Sequence, residues 1–84
     1  MVRLVNIKQE GDTISCNFCP ESSKVEEAGF IRIGRDGGLI EGTRSTSRYG
    51  DIDAYHKHAI FGLFRLFDTD LSKWENKEYE IMWY

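Results

Sequence analysis

Hydrophobic and polar residues alternate with a period of two along much of the chain, the pattern of strands that bury one face. Residues 3–9 predict a first strand with Val5 and Ile7 inward. Glu10, Gly11 and Asp12 predict a hairpin turn, because Gly11 takes positive φ at little cost. Over 13–18, Ile14, Cys16 and Phe18 share one face and Thr13, Ser15 and Asn17 the other, so these two runs are expected to pair as an antiparallel hairpin. Residues 20–27 open with the only proline and are polar, which predicts a loop. A third strand is expected over 28–35 with Ile31 and Ile33 inward, then a turn at 36–38, a short fourth strand over 39–43 and a connection over 44–50.

The period changes at 51–68. Ile52, Tyr55, Ala59, Ile60, Leu63, Leu66 and Phe67 form a wide apolar stripe at helical spacing. Asp51 and Asp53 suit the positive end of a helix dipole. Residues 69–77 read as a polar connection with room for one helical turn. Residues 78–84 alternate again, with Tyr79, Ile81 and Trp83 on one face and Glu80, Met82 and Tyr84 on the other.

The order β-β-β-β-α-β implies an α+β fold, a mainly antiparallel sheet of four to five strands with one helix packed on one face. A chain of 84 residues is the size of one compact domain. The expected core is Val5, Ile7, Ile14, Cys16, Phe18, Ile31, Ile33, Ile40, Tyr55, Ala59, Leu63, Leu66, Ile81 and Trp83.

Charge narrows the partners. A net charge of −3 argues against a general nucleic-acid binder. The balance is uneven, however. Arg32, Arg35, Arg44 and Arg48 outnumber Asp36 and Glu41 within 31–50, whereas residues 68–80 are acidic. With Tyr49 beside them, the four arginines form a candidate anion or nucleic-acid contact, guanidinium groups on phosphates and the ring on a base. No run has the length of a signal peptide or a membrane span, so the expectation is a cytoplasmic protein with reduced thiols and no membrane partner.

Candidate chemistry is sparse. Cys16 and Cys19, the only cysteines, have the spacing of a zinc knuckle or a redox pair. A strand sends residues three apart to opposite faces, a tetrahedral site needs about four ligands, and no helix follows to lower a thiol pKa. Cys16 is therefore expected in the core and Cys19 at a strand end. His56 falls in the helix stripe and is expected as a hydrogen-bonded core or edge residue, with a general base as the alternative. His58 is expected to be solvated. Residues 34–38 lack the ending of a phosphate loop, and no cofactor is expected.

Phe61 and Phe64 fall outside the helix stripe and are costly to leave in water, about 1.5–3 kcal/mol each. They are candidates for an interface, or for packing beneath the flanking connections. Leu4, Phe30, Met82 and Tyr84, on the outward side of their strands, would form a second patch if those strands are neighbours. These residues favour a non-enzymatic binding or protein-interaction module, with a homodimer through Phe61 and Phe64 or a sheet edge. The alternatives are nucleic-acid contact through the arginine region, or a small enzyme or metal protein using His56 or Cys16.

Overall fold

A computed structural model describes residues 1–74 and 77–82. The order is β-β-β-β-α-β: β1 (Val2–Glu10), β2 (Thr13–Pro20), β3 (Gly29–Gly34), β4 (Leu39–Thr43), α1 (Asp53–Phe64) and β5 (Tyr79–Ile81), with single helical turns at Val25–Glu27 and Leu71–Trp74. The strands form one antiparallel sheet in the order β4-β3-β2-β1-β5. This is the expected α+β class with a five-stranded sheet.

The helix crosses β1 and β2 and reaches β3 and β5. Beneath it lie Val2, Leu4, Ile14, Cys16, Phe18, Ile31 and Ile33, joined by Ala59, Leu63 and Leu66 from the helical segment. Gly62 allows the closest approach: a Cβ there would stand 1.9 Å from Cδ1 of Ile81. The helix stripe is narrower than its spacing predicts. Ile52 is exposed, and Tyr55, Ile60 and Phe67 flank the core half-buried.

Three expectations about β1, β2 and β4 need correction. Leu4, assigned outward, is fully buried, whereas Val5 is buried as expected but on the face away from the helix, and Ile7 is only partly buried. The cause is a bulge. Two residues, Asn6 and Ile7, stand against Cys16, because the pairing passes from Val5–Asn17 directly to Lys8–Ser15. Ile40, assigned to the core, is exposed in an edge strand that the helix does not cover. Pro20 closes β2 and is buried, so the expected loop begins one residue later. Trp83 and Tyr84 lie outside the described residues.

The helix ends at Phe64, four residues earlier than the apolar period suggests. Turns follow, and Asp68 takes the left-handed conformation (φ 60°). Its amide donates to Oε1 of Gln9 (2.9 Å), and Gln9 Nε2 donates back to Oδ1 of Asp68 (3.0 Å). Arg35, from the β3–β4 turn, donates through two nitrogens to the same carboxylate and through Nε to Asp12 (2.9 Å). The helix exit is thereby tied to both hairpin ends.

These hydrogen bonds, with Arg35 foremost, hold the Asp68 carboxyl down at about 2. An unfolded chain takes up this proton near the ordinary value of about 3.9, so protonation favours unfolding. The contribution is complete above that value and disappears as pH falls towards 2. Asp68→Asn should therefore flatten the fall in stability between these pH values, which urea unfolding at stepped pH would show. An unchanged acid slope would contradict it.

Gly29 pairs with Phe18 across β2 and β3. A Cβ at Gly29 would stand 2.4 Å from Cζ of Phe18 and 2.6 Å from the backbone oxygen of Thr43. Gly29→Ala should cost about 1–3 kcal/mol in denaturant unfolding, since neither a buried ring nor a backbone carbonyl yields cheaply.

Candidate functional site

The sheet face away from the helix carries a cleft of about 700 Å³. The bulge builds it. Asn6 stands at φ 56°, the left-handed region that asparagine tolerates better than most residues. Its Nδ2 donates to Oδ1 of Asn17 (3.0 Å), and Asn17 Nδ2 donates to the carbonyl of Gly29 (3.2 Å). The extra residue reverses the alternation of β1. Lys8 and Glu10 consequently share the cleft face with Val5, while Gln9 turns to the helix side and meets Asp68.

Two rows of side chains then cross the sheet. The register sets Val5, Asn17, Phe30 and Thr43 side by side on β1, β2, β3 and β4. The adjoining row is Lys8, Ser15, Arg32 and Glu41. Val25 and Trp74 also line the cleft. Arg32 donates through Nη1 to Oε2 of Glu41 (2.6 Å), and its guanidinium lies 5.4 Å from the centre of the Phe30 ring. Glu78, a further lining residue, accepts from Arg3 (2.8 Å).

The structure distributes the candidate arginines instead of gathering them. Arg32 is on the cleft face. Arg35 sits past one end of β4, on Asp12 and Asp68, and Arg44 follows the other end, on Oδ1 of Asp53 (2.6 Å) and the carbonyl of Gly50. Arg48 lies over Tyr49, 5.0 Å from its ring centre, and Tyr49 meets Tyr55 edge-on. Arg35, Arg44, Arg48 and Tyr49 take no part in lining the cleft.

His56 meets Phe18 edge-on at 5.4 Å, at the rim of the core. Its Nδ1 is buried with no hydrogen-bond partner among the described residues, so the expectation of a satisfied histidine is not met. Burial, aided by Arg44, lowers its pKa despite Asp53. His58, expected in solvent, is half-buried beside Phe61 and Ile81. Cys16 and Cys19 are both buried, on opposite faces of β2. Burial pushes the Cys16 thiol up, with Cys19 adding to it, and also raises Cys19 against the opposing field of Arg3.

Phe61 is 64% exposed and Phe64 42%. They lead to different places. Phe61 lines a shallow depression with Met82 along β5, whereas the Phe64 ring rests on Gly37 and edge-on against Phe67. Phe30 and Met82 do not join into one outward patch with Leu4, which is buried under the helix.

Sequence reasoning passed over Lys8, Ser15 and Trp74. The one available signal was Asn6, a residue of low strand preference within an otherwise apolar run. No family model matches the chain, and no curated protein or solved structure gives a significant match to it. Among the described residues, no helix is long and apolar enough to cross a membrane.

Asn6 provides a direct test of how the cleft is built. Asn6→Val places a β-branched residue in the left-handed region and should cost about 1–2 kcal/mol. Asn6→Gly keeps that conformation open and gives up only the contact with Asn17, so it should cost less. Equal losses in urea unfolding would contradict a left-handed residue at this position.

Proposed function

We propose that this protein is a non-enzymatic interaction module that pairs with a second copy of itself through β4. The observation that carries the reading is the state of that strand. All five residues of β4 are exposed, with Leu39 at 48% and Ile40 at 59%. An edge strand presents unpaired backbone N–H and C=O groups, and natural edges are usually blunted by lysine, proline or a covering element. In β4 the one charge is Glu41, which Arg32 of the same sheet already engages. The occupant that satisfies such an edge is another extended strand.

A second copy suits it because antiparallel pairing about a two-fold axis brings each apolar edge against its like. Leu39 shares the helix side of the sheet with Ile33, and Phe64 on Gly37 extends the apolar surface from the edge towards the helix. Arg32 bound to Glu41 in each copy moderates the repulsion that two facing glutamates would otherwise exert.

Solution mass by light scattering across a dilution series tests the reading. The expected result is a dimer whose dissociation constant rises at least tenfold in Ile40→Lys, with the monomer still folded. A monomer at every concentration would contradict it. A dimer indifferent to Ile40→Lys but dissolved by Phe61→Ser with Phe64→Ser would move the interface to the outer helix face and equally overturn pairing at β4.

A further inference from the structure

The cleft on the open sheet face raises a separate question, independent of pairing at β4. We infer that it is a binding site for a small organic anion with a flat apolar body, the anionic group above Ser15 and the body over Val5 and Phe30.

Ser15 is only 7% exposed, yet its hydroxyl lines the cleft and makes no hydrogen bond among the described residues. The residue is buried, but its hydroxyl oxygen stays open to the cleft and can donate to an acceptor placed above it. Lys8 flanks it on β1 and Arg32 on β3, in the same row. Adjacent strands are about 4.8 Å apart, so an acceptor placed over Ser15 lies within reach of both long side chains. Arg32 gives one nitrogen to Glu41 and keeps further donors, while Lys8 has no carboxylate partner among the described residues. One hydroxyl donor between two cations is the chemistry of an anion site.

The neighbouring row defines the rest of the ligand. Val5 and Phe30 flank Asn17 in this row as two apolar walls, and Trp74 lines the same cleft. The volume falls within the range of small-molecule sites. Glu10 also lines the cleft, one row beyond Lys8 at the hairpin end, and disfavours a second negative charge there. The class that fits is therefore an aryl or fused-ring carboxylate, sulfonate or phosphate with a single anionic head.

Anilinonaphthalene sulfonate combines these features and fluoresces on binding. Its neutral counterpart, phenylnaphthylamine, lacks the sulfonate. The expected result is one saturable site for the sulfonate, weakened five- to tenfold in Lys8→Gln and by added salt, with the neutral dye unaffected by Lys8→Gln. Lys8 is exposed, so the variant should fold, which far-ultraviolet circular dichroism would verify. Absence of saturable binding to wild type would overturn the proposal. So would equal affinity in Lys8→Gln, or binding lost in Phe61→Ser and kept in Lys8→Gln, which would place the dye on the outer helix face.

Discussion

Asn6 and Ile7 of β1 stand against the single residue Cys16 of β2, and both faces of the sheet depend on that mismatch. Side chains alternate strictly along a strand, so one extra residue exchanges the faces of everything beyond it. Before the bulge, Val2 and Leu4 enter the core. After it, Gln9 takes the helix side and Lys8 the open side. Without the extra residue, Lys8 would point at the helix and Gln9 would point away from Asp68. The left-handed conformation at Asn6 carries a cost, and the amide contact between Asn6 and Asn17 helps offset it.

The helix side is fastened at its far end by the same device. Gln9, redirected by the bulge, caps the exit of the helical segment at Asp68, and Arg35 joins that carboxylate to the β1–β2 turn through Asp12. These ion pairs are exposed and individually weak in water. Their effect is geometric, because they hold three chain reversals in one register. The open side is left with a cleft whose floor is polar in one row, while in the next Val5 and Phe30 flank Asn17.

Much of the fold is legible in the sequence because it follows from period. Alternation over 13–18 and 29–34, the glycine-rich turns and the helical spacing around Ala59 and Leu63 each point to the element observed. Errors cluster where a long-range contact overrides the local pattern. Val5 and Ile7 look equivalent in a regular strand, and only the pairing with β2 separates them. Leu66 and Phe67 keep the helical period, but the helix has ended at Phe64, and the hydrogen bonds between Gln9 and Asp68 hold the chain left-handed beyond it. Ile40 has the composition of a core residue and lies at the sheet edge, a place that strand order alone determines. The candidate site was less legible still. Lys8, Ser15 and Arg32 lie on three strands and become a row only through register, while the arginines that cluster in sequence are separated by the length of β4.

The most direct test of the account is the register of β1 against β2, read from cross-strand proton contacts by nuclear magnetic resonance. The account predicts Lys8 opposite Ser15 and Gln9 opposite Ile14, with Val5 still opposite Asn17. Contacts that set Ile7 opposite Ser15 and Lys8 opposite Ile14 would show a regular strand, and the cleft, its cationic row and the Gln9–Asp68 clasp would all lose their basis.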